Sequence, residues 1–249
     1  MKIAGSVALV TGANRGIGKS LVEALQQLGV ARVYAAARKP EPVLGSMVVV
    51  PIALDITDHA RVRAVAEECG DVQILINNAG ALFPQSLMAA NDLSSAEREM
   101  QVNYFGTLAM CRAFSPVLAR NGGGAIANVL SILGRVSMPQ LGSYSASKAA
   151  AYSLTQSIRA ELAAQGTLVV GAFPAFVDTE MAKRAPGPKL SPEEFSLELL
   201  RAIEANVEDI YPGNAADVES ELRQNPKEAE RRMARLLADA RRAQAAAAS

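Results

Sequence analysis

Short apolar runs alternate with helix-periodic segments along most of this 249-residue chain, and this alternation restricts the fold more than any other feature. Strands that are apolar throughout belong in parallel sheets that helices cover on both faces. The sequence therefore predicts an α/β fold, a single domain over 1–249 built on a doubly wound parallel sheet with helices on both faces. The six runs assigned to strands are 6–10, 32–37, 47–54, 74–80, 125–130 and 167–173.

Composition argues against several classes of function. Lys plus Arg number 25 and Asp plus Glu number 25, so no net charge favours a nucleic-acid partner. No apolar run approaches the roughly 18 residues of a membrane span, and no signal-peptide pattern follows Met1, so a cytoplasmic protein without membrane attachment is expected. With His59 as the sole histidine and Cys69 and Cys111 as the sole cysteines, no metal site, His-based triad or disulfide is expected.

The first apolar run leads directly into a glycine-rich turn, Thr11–Gly18, and then into a segment of helical periodicity that ends at Gly29. Glycines permit a tight turn and close backbone approach, and a helix N-terminus offers free N–H groups to phosphate oxygens. A purely structural turn is the alternative interpretation. The position between a strand and a helix favours a dinucleotide-binding turn.

The end of the second strand lacks the acidic residue that commonly holds the adenosine ribose 2′-hydroxyl of NAD. Ala37 stands in that place, Arg38 follows it, and Arg15 within the glycine turn is a second cation. Two arginines without a carboxylate suit a 2′-phosphate, so the sequence favours NADP(H). The alternative is that both arginines are solvated surface charges.

Tyr144 and Lys148 lie four residues apart, so they share one face of a helix that begins near Ser143. A fixed positive charge beside a phenol favours the phenolate, and we expect Lys148 to lower the pKa of Tyr144 from its ordinary value of about 10. Ser131 follows the fifth apolar run, at the sheet edge where open α/β folds bind ligands. A surface Tyr–Lys pair on an amphipathic helix is the alternative.

The chain after the sixth strand departs from the alternating pattern. A polar, proline-containing stretch follows Met181, and we expect a substrate lid over about 180–210 that includes a helix near 192–206. A short strand near 209–213 precedes a helical tail over 214–249. The tail has an apolar stripe at helical spacing, which indicates packing on the domain or self-association, and consists of Ala229, Met233, Leu237 and Ala240.

Taken together, these motifs resemble the short-chain dehydrogenase/reductase family. The matching elements are Thr11-Gly-x-x-x-Gly-Ile-Gly18, Asn77-Asn-Ala-Gly80, Asn103, Ser131 and Tyr144-x-x-x-Lys148, within about the first 180 residues. The resemblance implies a Rossmann fold and an oxidoreductase whose nicotinamide cofactor carries the hydride while the protein positions and polarises the reactants. Asn103 falls inside a helix predicted over 95–120, where asparagine is disfavoured.

The resemblance also implies a role for each matched residue. Tyr144 exchanges a proton with the substrate oxygen, and Ser131 hydrogen-bonds that oxygen. Lys148 lowers the Tyr144 pKa and binds the nicotinamide ribose, and Asn103 holds a water that feeds protons toward Lys148. The implied cofactor contacts are Gly12, Arg15, Gly16, Ile17 and Gly18 at the pyrophosphate, Asp55 and Ile56 at the adenine, Asn78, Val177 and Thr179 at the ribose and nicotinamide, with Asn14, Arg38, Ala79, Gly80 and Pro174 as further contacts.

Two features depart from the family pattern. Pro174 is followed by Ala175 where the family has glycine, which either narrows the nicotinamide pocket or is tolerated. A brief strand and a long helix replace the family's C-terminal strand and short tail, so a tetramer is not expected, and a monomer and a homodimer both stay open.

The leading hypothesis is a reversible NADPH-dependent carbonyl reductase that acts on a ketone or aldehyde and the matching alcohol. An NAD-dependent alcohol or sugar dehydrogenase would use the same chemistry with the other cofactor. A catalytically silent dinucleotide-binding regulator is a third hypothesis, against which the intact Ser131, Tyr144 and Lys148 argue. Apolar residues around the predicted site favour an apolar or aromatic substrate, with core packing as the alternative role, and they are Leu82, Phe83, Leu133, Met138, Leu141, Phe176 and Met181.

Overall fold

A parallel sheet forms the centre of the computed structural model, which describes residues 1–40, 47–183, 185 and 187–247. Its strands are β1 (Val7–Thr11), β2 (Arg32–Ala37), β3 (Val49–Ala53), β4 (Ile74–Asn77), β5 (Ala125–Val129), β6 (Leu168–Ala172) and β7 (Asp209–Ile210). The seven strands follow the order β3-β2-β1-β4-β5-β6-β7, and each neighbouring pair is parallel. The prediction of a single-domain, doubly wound Rossmann fold is confirmed.

Helices connect the strands and cover both faces of the sheet. They are α1 (Gly16–Gln27), α2 (His59–Glu68), α3 (Ser94–Met100), α4 (Thr107–Arg120), α5 (Gly142–Leu162), α6 (Pro192–Ala205), α7 (Ala215–Gln224) and α8 (Pro226–Ala247). A π-helical turn, Gln101–Gly106, joins α3 to α4. The single helix predicted over 95–120 is therefore interrupted in its middle, at the turn that contains Asn103.

Two apolar layers lie on opposite sides of the sheet because successive strand residues point to opposite faces. Val10 of β1 packs toward α1 and α6, whereas the preceding Leu9 packs toward α2, α4 and α5. Both side chains are fully buried. The alternation explains why whole strands are apolar, and it places α5 and α4 side by side on one face.

Side-chain caps fix the starts of two helices. Asp58 accepts hydrogen bonds from the backbone N–H groups of Ala60 and Arg61, at 3.1 and 3.0 Å, and caps α2. At α6, Ser191 and Glu194 each accept from the other's backbone N–H and form a capping box. These caps satisfy N–H groups that the helices themselves leave unpaired.

The C-terminal region folds back onto the domain. Arg159 of α5 donates to the backbone carbonyls of Val169 and Glu208 and pairs with Asp209, which attaches the short β7 to the sheet edge. Ala229 and Met233 of α8 are buried against the loop that follows β5. The packing role proposed for the tail stripe is thus confirmed for these two residues, while the side chains of Leu237 and Ala240 lie outside the described part.

Cys69 and Cys111 are buried and unbridged, and burial raises the pKa of each thiol to about 12. Both thiols are therefore protonated and unreactive at neutral pH. In the described part of the chain, no helix combines the length and the apolar character needed to cross a membrane.

Candidate active site

A cleft of about 1360 Å³ opens at the carboxyl ends of the strands. It spans the point between β1 and β4 where the strand order reverses, which is where doubly wound folds bind ligands. Asn103 does not line the cleft, but the other residues named in the sequence analysis for catalysis and cofactor do: Gly12, Asn14, Arg15, Gly16, Ile17, Gly18, Arg38, Asp55, Ile56, Asn78, Ala79, Gly80, Ser131, Tyr144, Lys148, Pro174, Val177 and Thr179.

The glycine turn forms the floor of one half of the cleft. Gly12 has a φ of +66°, which side-chain-bearing residues rarely adopt. A Cβ on Gly18 would lie 2.1 Å from the carbonyl oxygen of Gly12, so α1 and β1 can approach this closely only with glycine there. The glycine spacing recognised in the sequence is thus required by the packing of the turn.

The N-terminus of α1 is open to the cleft. Its N-cap residue, Arg15, makes no side-chain capping bond, and the first turn contains no acidic residue. The first N–H groups of an uncapped helix carry partial positive charge and suit phosphate oxygens. The residues of this turn therefore fit the pyrophosphate of a dinucleotide.

Thr11 and Asn78 connect the ends of β1 and β4. The hydroxyl of Thr11 accepts from the backbone N–H groups of Asn78 and Ala79, each at 3.0 Å. The Asn78 amide donates to the carbonyl oxygen of Thr11 at 2.8 Å and to that of Gly12 at 3.3 Å. The polar end of the fourth strand thus holds the glycine turn in place. Thr11 was matched as the first residue of the glycine motif, but its hydroxyl was given no role there.

The end of β2 is basic. Arg38 is exposed, lines the cleft and has no ion pair with a described carboxylate, and neither has Arg15 across the glycine turn. Lys39, which the sequence analysis passed over, also lines this corner. Asp55 lies nearby: partial burial would raise its pKa, but hydrogen bonds from Thr57 and the charge of Arg38 hold that pKa below its ordinary value.

Tyr144 and Ser131 converge on the other half of the cleft. Tyr144 lies in the first turn of α5 and is partly buried, and Ser131 follows β5 and accepts from the N–H of Leu133 at 3.1 Å. Burial raises the pKa of Tyr144 to about 12; a hydrogen bond with Ser131 opposes this rise, and the charge of Glu99 adds to it. The phenol is therefore protonated at neutral pH in the protein chain alone.

Lys148 lies one turn further along α5. Its Nζ is 5.8 Å from the centre of the Tyr144 ring and donates to the carbonyl oxygen of Val129 at 2.8 Å. Burial lowers the pKa of Lys148 to about 8. Burial thus places the Tyr144 pKa above its ordinary value in the protein chain alone. The expectation that Lys148 lowers this pKa stays a prediction.

Asn103 lies in the π-helical turn, next to the part of α5 that carries Tyr144 and Lys148. Its side chain exchanges hydrogen bonds of 2.8 and 2.9 Å with the backbone of Ala81 and donates to Ser147 Oγ at 2.9 Å. A Cβ on Gly80 would lie 3.3 Å from Asn103 Oδ1 and 3.7 Å from Lys148 Nζ, so glycine there lets these two side chains approach each other. The amide of Asn103 is thus occupied by protein partners, and its role in holding a water stays a prediction.

A buried network of hydrogen-bonded side chains connects β4, β5 and α5 next to the site. Asn77 at the end of β4 donates to Asn128 Oδ1 of β5, and Asn128 donates to Thr155 Oγ1 of α5, each at 2.9 Å. These three side chains are all at least 95% buried. The network fixes α5, and with it Tyr144 and Lys148, relative to the strand ends.

The apolar residues expected near the substrate divide into two groups. Leu82, Phe83 and Met181 line the cleft. Leu133, Met138 and Leu141 pack with Ala215 and Leu222 of α7 and do not line it. Phe176 also lies outside the lining, and its backbone carbonyl accepts from Leu190 N. Of the two roles left open in the sequence, core packing therefore holds for Leu133, Met138 and Leu141, which pack in the same cluster as Tyr144. The sequence could not decide between the roles, because it does not place α7.

The geometry is that of a nicotinamide-dinucleotide oxidoreductase, and the comparisons with known proteins agree. Residues 6–188 match the family model described as short chain dehydrogenase. A short chain dehydrogenase from Burkholderia cenocepacia J2315, solved in complex with NADP, is 44% identical with a TM-score of 0.89, over 94% of this chain and 99% of that one.

Two further relatives show the breadth of the family. Estradiol 17-beta-dehydrogenase 11 from Rattus norvegicus is 32% identical over 86% of this chain and 78% of its own length. The 3-ketoacyl-(acyl-carrier-protein) reductase from Brucella melitensis, solved with NADH, is 28% identical with a TM-score of 0.78, over 86% of this chain and 99% of that one. The chain belongs to the short-chain dehydrogenase/reductase family.

Proposed function

We propose that the protein reduces the carbonyl of a ketone or aldehyde to an alcohol with NADPH, and that it also runs the reverse reaction. One observation carries the proposal: a single cleft contains both the Ser131, Tyr144 and Lys148 group and an end of β2 that is basic and lacks an acid. The three side chains suit proton transfer to a substrate oxygen, and the basic end of β2 suits a 2′-phosphate.

The protein's own groups handle the proton in this proposal, and NADPH supplies the hydride when bound. Tyr144 is protonated at neutral pH, and burial raises its pKa further, to about 12. It donates to the developing alkoxide, and Ser131 hydrogen-bonds the same oxygen. Lys148 has three donors, of which one is used on Val129 O, so others remain for the nicotinamide ribose. Positioned acid–base groups of this kind contribute typically about 10²–10⁴-fold.

The phosphates and the adenosine ribose of the cofactor are assigned to the half of the cleft that the glycine turn and the end of β2 form. The turn from Gly12 to Gly18 holds the pyrophosphate, Asp55 and Ile56 face the adenine, and Arg38 with Arg15 pairs with the 2′-phosphate. The Burkholderia relative solved with NADP supports this choice of cofactor.

Replacing Arg38 by Asp tests the cofactor preference. The new carboxylate repels a 2′-phosphate and can accept from a 2′-hydroxyl, so the ratio of kcat/KM for NADPH over NADH is expected to fall at least about tenfold. Arg63→Asp on the exposed side of α2 makes the same charge change away from the cleft and is the control. An unchanged ratio in the Arg38 variant contradicts the assignment.

The substrate side of the cleft favours an apolar or aromatic carbonyl compound. Leu82, Phe83 and Met181 line it, and Glu180, Met181 and Ala182 form one of its walls. We propose that this wall belongs to a lid that ends before α6. The lid expected over about 180–210 cannot include α6, because Phe195, Leu199 and Ile203 of that helix are fully buried in the core. Residues 184 and 186 lie outside the described part. A panel of aryl ketones, followed by NADPH absorbance, tests the substrate class, and NADPH left unoxidised by every member argues against it.

An NAD-dependent alcohol or sugar dehydrogenase is the second candidate, favoured by the Brucella relative solved with NADH. It uses the same Tyr144, Ser131 and Lys148. Initial rates with the two cofactors at equal concentration separate the candidates, since a faster reaction with the NAD couple supports the second one.

A further inference from the structure

Glu99 of α3 is a buried acid that the mechanism above does not use. Its side chain has no exposed surface, Oε1 accepts from the backbone N–H of Phe83 at 2.7 Å, and Oε2 has no hydrogen-bond partner among the described residues. Burying a carboxylate with an unpaired oxygen is costly. Glutamine would accept the same hydrogen bond, so the hydrogen bond to Phe83 alone does not explain an acid at this position.

The helix α3 and the π-helical turn that follows it both pack against α5, the helix of Tyr144. Asn103 donates to Ser147 Oγ across this contact at 2.9 Å. Glu99 precedes Asn103 by about one helical turn, and Tyr144 precedes Ser147 by about one turn in the same direction. The two side chains therefore lie at the same level of the packed helices, and a negative charge at Glu99 opposes ionisation of the phenol.

Glu99 also fixes a wall of the cleft. Phe83, whose N–H it accepts, lines the cleft, and the guanidinium carbon of Arg98 lies 4.1 Å from the centre of the Phe83 ring. Asn103 holds the neighbouring Ala81 through two backbone hydrogen bonds. Residues 81–83 are thus attached to the helix that carries Glu99.

We infer that the buried carboxylate of Glu99 is a positioning residue of the reaction, which acts on Tyr144 through its charge and on Phe83 through its hydrogen bond. The inference rests on the proposed function only in that the reaction uses Tyr144 for proton transfer. It is independent of the cofactor preference and of the substrate.

The polar and charged groups near Tyr144 come from several elements. Lys148 of the same helix is the nearby cation, Ser131 after β5 is a neutral hydrogen-bond partner, and Tyr211 after β7 packs in the same apolar cluster. Glu99 supplies the negative charge from α3. Removing that charge makes the phenol easier to ionise, so the pH-dependent limb that reports Tyr144 moves to lower pH in both reaction directions.

Glu99→Gln separates the charge from the hydrogen bond, because an amide oxygen still accepts from Phe83 N. In pH profiles of kcat and kcat/KM for alcohol oxidation, we expect the Tyr144 limb to move down by about half a pH unit or more. Glu97→Gln, an equal charge change at an exposed position of the same helix, is the matched control and leaves the limb in place. An unmoved limb in Glu99→Gln, or an equal shift in both variants, overturns the inference.

A readout without turnover distinguishes this inference from the proposed function. Tyrosinate absorbance after a rapid pH jump, as the difference between each protein and its Tyr144→Phe derivative, reports the ionisation of Tyr144 alone. If the wild type turns over no substrate but Glu99→Gln shifts the ionisation of Tyr144 to lower pH, the effect of Glu99 on Tyr144 is supported and the proposed function is contradicted. Turnover by the wild type without that shift does the reverse.

A second variant covers the case in which Glu99→Gln does not fold. Glu99→Asp keeps the charge but shortens the side chain, so it retains the wild-type pH limb and raises KM severalfold as Phe83 loses its hydrogen bond. A wild-type KM together with a shifted limb in this variant contradicts both parts of the inference.

Discussion

The positively charged side chain of Lys148 lies in a region that has almost no contact with water. Its side chain is 6% exposed, and burial lowers its pKa to about 8, well below the ordinary value of 10.5. Its ammonium is therefore the favoured form at neutral pH, but it is held at a cost. Because of that cost, the stability of the protein depends on the protonation state of Lys148.

Replacing Lys148 by Met is expected to change how stability varies with pH. Above about pH 8 the unfolded chain keeps a proton that the folded chain has lost, so the free energy of unfolding rises with pH from this group. Between pH 7.5 and 9.5 the rise amounts to roughly 2 kcal/mol, and Lys148→Met removes it.

Urea denaturation of the protein without cofactor measures this slope. The raised pKa values of Cys69 and Cys111 lower stability from about pH 8, where unfolded thiols begin to ionise, and that of Tyr144 does so above about pH 9.5. The thiols act alike in wild type and Lys148→Met, so the difference between the two slopes reports Lys148. Lys19→Met on the exposed side of α1 is the control. The same pH slope in wild type and Lys148→Met would show that the lysine is not held in a desolvated state.

At the scale of elements, the turn between β1 and α1 depends on glycine at Gly18. A Cβ there would lie 2.1 Å from Gly12 O and 2.6 Å from Asn78 Nδ2. We expect Gly18→Ala to open the turn and weaken cofactor binding at least about tenfold, which corresponds to about 1.4 kcal/mol.

Cofactor fluorescence titration measures the Kd of this variant, with thermal unfolding recorded alongside. In Gly70→Ala, after α2, the new Cβ makes an ordinary contact of 3.6 Å with Glu67 O, so affinity and stability stay near wild type. A wild-type Kd in Gly18→Ala would mean that the turn adapts and is not the cofactor cradle.

Most helices and strands could be predicted from the sequence, because each depends on the pattern of residues within its own segment. β2 occupies 32–37 as expected, because a strand buried on both faces is an apolar run of strand length. The π-helical turn at Asn103 could not be predicted, since it is stabilised by a hydrogen-bond partner, Ala81, that is 22 residues away. The site shows the same limit: Tyr144 and Lys148 were found by spacing, whereas burial, which decides both pKa values, depends on the whole packing.

At the scale of the whole molecule, the C-terminal helices support the loop beside the active site. Ala229 and Met233 of α8 pack with Val136 and Met138, close to where Leu133 and Tyr144 meet residues of α7. The helix α7 was not separated from α8 in the sequence analysis. The loop that follows β5 is therefore held in place by α7 and α8, the C-terminal helices of this chain.

Two substitutions in α8 test this support. Met233 is 5% exposed and Leu236, one turn further, is 48% exposed. Met233→Ala is expected to lower the free energy of unfolding by about 2–3 kcal/mol, because it leaves a cavity against Val136. Leu236→Ala changes it by less than about 0.5 kcal/mol. Equal effects in chemical denaturation would show that α8 does not pack in this way.

We propose that Tyr144, held beside Ser131 and Lys148, transfers the proton in a nicotinamide-dependent reduction. The most direct test compares wild type with Tyr144→Phe, which removes one hydroxyl, for NADPH oxidation with carbonyl substrates and for NADPH binding. The account predicts a loss of kcat of at least about 10²-fold with a Kd for NADPH close to wild type. Undiminished turnover in Tyr144→Phe would contradict the account.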